Sequence, residues 1–250
     1  MQDANRVTYS YGNYTIYGNA VSNESINFWF GKNETNEIPS SPLSAKITEK
    51  YNCHYVGNKE NVIYLTFDEG IDTTYANENL DTLKKYNIKA TFFLTGSFIE
   101  THPDIVKRMS DEGHICANHT YSHSDMALFA KENPETFIKE VVETEEAFKK
   151  VTNKEMDKYI RLPEGTYSEK VLDILNQMGY TTIFWSFAIK DWSEEWNSKD
   201  EVLQNMQKYY HQGAIYLLHG LNKANSEALD EFISYMQGKD YTFKPVSNIK

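Results

Sequence analysis

From residue 61 onward, short apolar runs of strand character alternate with segments in which apolar residues recur at helical spacing. This alternation is typical of parallel sheets, in which each helix carries the chain back to the start of the next strand. Seven such runs are too many for a small sandwich, and they predict an α/β fold, a distorted, incomplete TIM-like (β/α)7 barrel. The runs span residues 62–67, 90–95, 114–118, 158–162, 180–186, 214–219 and 241–246.

The first 55 residues differ in composition from the rest of the chain. They are rich in Asn, Ser, Tyr and Gly and contain short alternating pieces such as YTIYGNA. We therefore divide the chain into an N-terminal extension, residues 1–55, that packs on a main domain, residues 56–250. No run of 18 or more apolar residues occurs, and the first residues lack the basic and apolar regions of a signal peptide.

The chain is acidic, with 36 Asp and Glu against 25 Lys and Arg and a formal net charge of −11. Such a charge repels phosphate backbones, so nucleic acid is not an expected partner. Cys53 and Cys116 have no CxxC spacing and predict neither a zinc ribbon nor a disulfide scaffold. Unpaired structural thiols are favoured, and a single bridge between the two cysteines is the alternative.

Ionisable side chains follow the predicted strands at one end. In a barrel of parallel strands, functional residues lie just past the carboxyl ends of the strands. Five strands of this chain end in this way, so their polar groups are expected to converge on one rim. The residues at these ends are Asp68 and Glu69, His119, Arg161 with Pro163, Glu164 and Gly165, Asp191 with Trp192, and His219.

His119 and His123 stand four residues apart in NHTYSH. On a helical turn such side chains face the same way, with Cβ atoms roughly 5–6 Å apart, which suits two imidazoles on one metal ion. A third ligand is usually a carboxylate, with one position left for water. Thr120 stands where the HExxH motif has its Glu, so the general base must come from elsewhere. An exposed turn with two incidental histidines is the alternative for this motif alone.

Asp68 and Glu69 can supply both the third ligand and the base. Neighbouring strand residues point to opposite faces, but Gly70 would let the backbone leave the strand at once and turn both carboxylates into one site. One would bind the metal while the other faces the water. A glycosidase pair is disfavoured, because its carboxyls need about 5–10 Å between them and come from separate strands. A solvated acidic loop is the alternative for this pair alone.

The ordered set TFDEG, HTYSH, RLPEG, DW and LLH resembles the five motifs of the NodB-type polysaccharide deacetylases, carbohydrate esterase family 4. The likeness runs from about residue 61 to the C-terminus. Segments such as RMSDEGHICANHTYSH, FWSFAIKDW and YTFKPV are most similar to one branch of that family. This branch comprises the δ-lactam-biosynthetic de-N-acetylases, which act on N-acetylmuramic acid in spore-cortex peptidoglycan. The resemblance implies a NodB-homology catalytic domain over residues 56–250.

Catalytic roles follow from the resemblance for four residues. Asp68 matches the base that activates the attacking water, and Arg161 matches the arginine that orients this base. His219 matches the catalytic acid, and Asp191 matches the carboxylate that orients it. General acid and base groups of this kind are what amide hydrolysis needs.

Metal binding is implied by the same resemblance. Glu69, His119 and His123 match the ligands of a divalent metal ion, most often Zn²⁺, with Co²⁺ or Mn²⁺ as alternatives. Glu69 departs from the usual Asp by one methylene, and the muramic-acid branch often has Asn at this place.

Substrate contacts are implied for two further segments. Pro163, Glu164 and Gly165 match the groove segment, where the backbone N–H of residue 164 helps to hold the oxyanion. Trp192 and Leu217 match residues that line the acetyl pocket. Glu164 departs from the basic residue that the branch often has there. A basic group could meet the lactyl carboxylate of muramic acid, and the notable substitutes in this chain are Lys190 and Lys223.

The expected function is therefore metal-dependent de-N-acetylation of N-acetylmuramic acid in peptidoglycan glycan strands, leading to muramic δ-lactam in the spore cortex. Deacetylation of N-acetylglucosamine in peptidoglycan or chitin-like oligosaccharides is the alternative enzyme activity, and a non-catalytic glycan-binding relative is the alternative of another class. Glycan strands are the expected partner, with no nucleotide cofactor and a monomeric chain. The substrate class implies an extracytoplasmic protein, secreted or membrane-anchored.

Overall fold

A computed structural model describes residues 8–11, 14–17, 26–27, 50–70, 75–189, 191 and 198–250. Thirteen strands occur in these ranges. They are β1 Thr8–Tyr11, β2 Tyr14–Tyr17, β3 Ile26–Asn27, β4 Cys53–His54, β5 Val62–Glu69, β6 Thr91–Leu94, β7 Ile115–Asn118, β8 Asp157–Ile160, β9 Thr166–Tyr167, β10 Thr181–Ile183, β11 Phe187–Ala188, β12 Ala214–His219 and β13 Thr242–Phe243.

Helices connect most of these strands, as the alternating pattern predicts. In the described ranges they are α1 Ala76–Lys85, α2 Gly96–Thr101, α3 Pro103–Asp111, α4 Met126–Glu132, α5 Pro134–Thr152, α6 Glu169–Gln177, α7 Lys199–Lys208 and α8 Lys223–Gln237. Short 3-10 turns lie at 163–165 and 246–248.

The main sheet contains nine of the described strands in the order β11-β12-β5-β6-β7-β8-β10-β4, with β13 also paired to β5. Every pairing within this sheet is parallel. Each of the seven predicted runs contains one of these strands, while β4 and β11 are short additions. The predicted fold class, an incomplete α/β barrel, is confirmed.

Apolar side chains cover both faces of the central strand β5, all of whose residues are buried. Ile63, Leu65 and Phe67 belong to one buried cluster, and Val62 and Tyr64 belong to another. The two clusters follow the alternation of side chains along a strand. A strand buried on both faces needs a continuous apolar run, which is why VIYLTF does not alternate with polar residues.

Helix ends follow the signals in the sequence. The side chain of Asn133 caps α5, which has Pro134 in its first turn, and the hydroxyl of Ser168 accepts from the third residue of α6. Gly113 and Gly179 follow α3 and α6 with φ of 80° and 81°, which a residue with a side chain adopts at a cost.

The N-terminal strands contact the main domain through hydrogen bonds. Strands β1 and β2 form an antiparallel hairpin, from which Tyr11 Oη donates to Glu143 and Tyr14 Oη donates to Glu145 on α5. Strand β3 pairs antiparallel with β9, which directly follows the turn at 163–165.

Cys53 and Cys116 are both buried and no disulfide joins them, so the alternative of a bridge between them is wrong. Burial raises the pKa of the Cys53 thiol to about 12, and burial with the charge of Asp157 also raises the pKa of Cys116. Within the described ranges, no helix combines the length and apolar character needed to cross a membrane.

Candidate active site

The carboxyl ends of four parallel strands of the main sheet, β12, β5, β7 and β8, bring predicted polar residues to one rim. Asp68 lies in β5, and its Cα partner across the pairing with β12 is His219. His119 directly follows β7, and Arg161 directly follows β8, where the Arg161 N–H donates to Asn118 O at 3.0 Å. The expected convergence on one rim therefore holds for these four side chains.

Arg161 and Asp68 form a buried ion pair. Arg161 Nη1 lies 2.6 Å from Asp68 Oδ1, and the two side chains are 0% and 7% exposed. Burial alone would raise the pKa of Asp68, but the positive charge of Arg161, with smaller contributions from His119 and His219, lowers the pKa below its usual value. Asp68 is therefore a carboxylate at neutral pH, the form that a general base requires.

The guanidinium of Arg161 is held on all sides. Its Nε donates to Ile183 O and its Nη2 donates to Phe184 O, both at 3.0 Å. The ring of Phe93 lies 4.2 Å from the guanidinium carbon, and the ring of Trp185 lies 5.8 Å away. These aromatic residues sit in runs that resemble ordinary core strands, so the sequence offered no signal for their contact with Arg161.

His119 contacts the backbone of Arg161 and the side chain of Asp68. Its Nδ1–H donates to Arg161 O at 2.8 Å, and its Nε2 lies 3.6 Å from Asp68 Oδ2. Burial lowers the pKa of His119 to about 4, against the opposing effect of Asp68. The imidazole is therefore neutral at physiological pH, and the lone pair on Nε2 is turned toward the site.

His123 lies beside His119, with ring centroids 5.0 Å apart, but the expected helical turn is wrong. The segment after β7 is a loop in which Thr120 and His123 have positive φ, 64° and 57°. The Thr120 N–H donates to Asn118 Oδ1 at 2.8 Å. The two histidines meet because this loop bends back, and helical spacing plays no part.

Glu140 of α5 holds the same loop from outside. Its Oε2 accepts from the backbone N–H groups of Tyr121 and Ser122, at 3.0 and 2.8 Å, and its Oε1 accepts from the Ser122 hydroxyl at 3.0 Å. A carboxylate that satisfies several loop donors stabilises an otherwise strained backbone. Glu140 lies 17 residues after His123 in the sequence, so no local pattern predicts this contact.

Glu69 does not leave the strand as the sequence suggested. Strand β5 continues through Glu69, and Gly70 follows its end. Strand alternation groups Asp68 with Tyr64, and Glu69 with Phe67 on the opposite face. Among the described residues, no three His, Cys, Asp or Glu side chains have the arrangement of a metal site. The role of Glu69 as third ligand stays a prediction.

His219 and Asp191 form the second charged pair of the rim. His219 Nδ1–H donates to Asp191 Oδ1 at 2.7 Å, and the His219 backbone N–H donates to Asp191 Oδ2 at 2.8 Å. Burial lowers the pKa of His219, but the charge and hydrogen bond of Asp191 outweigh it and raise the pKa above the ordinary value. The pair favours an imidazolium, in which Nε2 carries a proton as well as Nδ1.

The predicted groove segment forms a tight turn. Pro163 and Gly165 are buried, while Glu164 is exposed with φ of 56°, a value that costs energy for a residue with a side chain. Leu217 is buried on β12, two residues before His219 and therefore on the same strand face.

Two residues named from the sequence, Trp192 and Lys190, lie outside the described residues. Lys223, the other suggested basic group, is exposed on α8 and pairs with Glu227 at 3.0 Å.

Comparison with known proteins identifies the family of the chain. Residues 56–183 match the family model of the polysaccharide deacetylases. The peptidoglycan-N-acetylmuramic acid deacetylase PdaA of Bacillus subtilis is 40% identical over 92% of this chain and 88% of its own length. A peptidoglycan-N-acetylglucosamine deacetylase of Bacillus cereus is 35% identical over 78% of this chain and 70% of its own length.

Solved structures give the same result. The structure of Bacillus subtilis PdaA, a family 4 carbohydrate esterase, superposes with a TM-score of 0.86 at 39% identity, covering 92% of this chain and 98% of that one. A family 4 pseudoenzyme from Bacillus anthracis, BA3943, superposes with a TM-score of 0.72 at 25% identity, covering 79% of this chain and 68% of that one. The chain belongs to the polysaccharide deacetylase family and is a hydrolase of the carbohydrate esterase family 4 type.

Proposed function

We propose that this enzyme removes the N-acetyl group of N-acetylmuramic acid in peptidoglycan glycan strands, a step that leads to muramic δ-lactam in the spore cortex. The observation that carries the proposal is the pairing of Asp68 with Arg161 opposite the pairing of His219 with Asp191 on adjacent strands. A carboxylate whose pKa is lowered thus lies on the strand next to an imidazole whose pKa is raised, which supports a base and an acid role in one reaction. The similarity to PdaA over nine tenths of the chain supports the muramic acid substrate.

Asp68 acts as the base. Its carboxylate is ionised because Arg161 lowers its pKa, and Arg161 also holds Oδ1 in place at 2.6 Å. Asp68 accepts the proton of the attacking water as the new C–O bond forms at the acetyl carbon.

His219 acts as the acid. The raised pKa favours the protonated imidazole, and Asp191 fixes Nδ1 so that Nε2 carries the transferable proton. When the C–N bond breaks, this proton passes to the sugar nitrogen, which leaves as an amine. Hydrolysis thus yields acetate and a free amino sugar.

His119 and His123 are two neighbouring imidazoles of the kind that bind a divalent metal ion, and Zn²⁺ is proposed, with Co²⁺ or Mn²⁺ as alternatives. Family membership supports metal dependence without specifying the ion. His119 is neutral and directs its Nε2 lone pair into the site, and the ring of His123 is its neighbour. These two histidines would hold the ion, with Glu69 proposed as third ligand on the family resemblance alone. A bound ion would supply Lewis-acid polarisation of the acetyl carbonyl.

The remaining predicted residues would bind the substrate. The backbone N–H of Glu164, in the turn at 163–165, is proposed to donate to the oxyanion, with Pro163 and Gly165 shaping the groove. Leu217, below His219 on β12, is proposed to line the acetyl pocket together with Trp192.

A glycan-strand substrate implies action outside the cytoplasm, by a protein that is secreted or anchored to the membrane. We propose that residues 56–250 form the catalytic domain and that residues 1–55 form an extension packed on it. The hydrogen bonds of Tyr11 and Tyr14 to α5, and the pairing of β3 with β9, support this division. The monomeric state remains a prediction.

Deacetylation of N-acetylglucosamine is the second candidate activity. It is favoured by Glu164, whose exposed carboxylate in the groove segment would repel the lactyl carboxylate of muramic acid. The Bacillus cereus relative, named for N-acetylglucosamine, supports the same alternative.

The test measures acetate release from peptide-free glycan strands, with and without chelator, followed by mass analysis of the products. We expect deacetylated muramic acid as the product, with activity lost in chelator and restored by Zn²⁺. Asp68→Asn should reduce turnover by roughly 10²–10⁴-fold, while the control Asp111→Asn, a surface carboxylate paired with Lys154, should leave it unchanged. Deacetylated glucosamine alone would favour the second activity. Glycan binding without acetate release under any divalent metal would favour a non-catalytic relative.

A further inference from the structure

Asn225 lies in the first turn of α8 and contacts both members of the Asp191–His219 pair. Its Nδ2 donates to Asp191 Oδ2 at 2.8 Å and to the backbone O of His219 at 3.0 Å. The residue is 2% exposed, so water does not substitute for either hydrogen bond. This amide is the part of α8 that touches the proposed acid.

The chemistry of the two neighbours determines which end of the amide faces them. A carboxylate oxygen and a backbone carbonyl are both acceptors, so only a donor satisfies them. Asp191 Oδ2 also accepts from the His219 backbone N–H, while Oδ1 accepts from Nδ1. Three donors therefore fix both oxygens of a carboxylate that is 1% exposed.

Helix geometry places the amide at this point. Asn222, three residues after His219, caps α8 by accepting from the Ala224 N–H at 2.8 Å. The cap fixes the first turn of the helix and with it the direction of the side chain at position 225. The partial positive charge of the helix N-terminus further favours the Asp191 carboxylate.

We propose that Asn225 is a positioning residue of the deacetylation, which holds the Asp191 carboxylate against His219 so that the imidazole faces the leaving amine. This inference rests on the proposed function, because it assigns Asn225 a role through the acid of that reaction. Asn225 contacts Asp191 and the His219 backbone, whereas the His219 imidazole is the group that would contact the substrate. Its loss is therefore expected to lower kcat with little change in KM.

The experiment compares Asn225→Leu, which keeps the volume but removes the donor, with Ser226→Ala, a buried neighbour on the same helical turn. Both substitutions are made in the wild-type chain and in Asp191→Asn. Acetate release from peptide-free glycan strands gives kcat and KM, and proton NMR follows the hydrogen-bonded Nδ1–H of His219. Asn225→Ala serves as a second variant should the Leu variant not fold.

We expect Asn225→Leu to lower kcat by roughly 10- to 100-fold in the wild-type chain and by less than about twofold in Asp191→Asn, because the effect passes through Asp191. The kcat of Ser226→Ala should stay within about twofold of its parent in both backgrounds. The Nδ1–H resonance should weaken or shift in Asn225→Leu and persist in Ser226→Ala.

If Asn225→Leu lowers kcat by the same factor in the wild-type chain and in Asp191→Asn, the role of Asn225 is merely structural and the proposal is overturned. An unchanged kcat, or an unchanged Nδ1–H resonance, would overturn it as well. A wild-type chain that releases no acetate would refute the proposed function. The NMR comparison would still decide whether Asn225 positions the pair.

Discussion

Replacing Arg161 by Met leaves the Asp68 carboxylate buried without its partner. Asp68 is 7% exposed, and Arg161 Nη1 is its closest cation at 2.6 Å. Methionine fills a similar volume but supplies no charge and no donors, so the carbonyl groups of Ile183 and Phe184 also lose a hydrogen bond each. The fold should persist, but with a lower free energy of unfolding.

The expected loss is about 3–5 kcal/mol at pH 7, the cost of breaking a buried ion pair from one side. For a chain of this size this corresponds to a fall in Tm of about 6–20 °C. In the wild-type protein the pKa of Asp68 is lowered, so the stabilisation by the ion pair is present above the unfolded pKa and lost as pH falls through the folded pKa. In Arg161→Met, burial raises the pKa of Asp68 instead, so the destabilisation is largest near neutral pH and shrinks as the carboxyl protonates.

Urea unfolding of wild type and Arg161→Met, at pH 7 and at pH 5, measures both effects. Asp68→Asn/Arg161→Met, which removes the charge as well, should be at least about 2 kcal/mol more stable than Arg161→Met at pH 7. Arg108→Met is the matched control, because Arg108 also pairs with carboxylates, Asp81 and Glu112, but its side chain is 25% exposed, so its loss should destabilise the fold less than Arg161→Met. A loss below 1 kcal/mol for Arg161→Met, or no recovery in the double variant, would refute the assignment of a buried, charged Asp68.

Three further outcomes are expected. Asp191→Asn should move the alkaline limb of the pH profile of kcat/KM to lower pH, because burial lowers the pKa of His219 and Asp191 is the main group that opposes it, ahead of Asp68 and Glu69. An alkaline limb at unchanged pH would contradict the assigned acid. His123→Ala should weaken zinc binding at least about 10-fold in a competition assay with a chelating dye, and unchanged affinity would remove His123 from the ligand set. A thiol reagent should not modify Cys53 or Cys116 in the folded protein but should label both after unfolding, because burial raises the pKa of each thiol. Rapid labelling of the folded chain would contradict this expectation.

Much of the fold could be predicted from the sequence because its signals are local. A strand buried on both faces must be apolar throughout, so VIYLTF and AIYLLH identify β5 and β12 without any knowledge of their neighbours. Parallel pairing then brings the carboxyl ends together, which is why Asp68 and His219 were expected on one rim. Short strands such as β11 carry only two residues and give no periodicity to detect.

The errors at the site have a common physical origin. The spacing of His119 and His123 suggested a helical turn. The two rings instead lie close together because they belong to a loop with positive φ, and Glu140, a residue distant in sequence, holds this loop by hydrogen bonds. Gly70 suggested that the strand ends before Glu69, whereas pairing with β6 extends the strand through it. Such contacts depend on which elements become neighbours, and no local pattern encodes that choice.

The sequence by itself determined the order of strands and helices, the rim at which the ionisable groups meet and the kinds of side chain available there. Tertiary structure alone decided their electrostatic state. Asp68 is ionised because Arg161, 93 residues away in the sequence, pairs with it, and the pKa of His219 is raised because Asp191 pairs with its imidazole. Propensity and periodicity are properties of neighbouring residues along the chain. Burial and charge pairing, which set a pKa, are properties of neighbours in space.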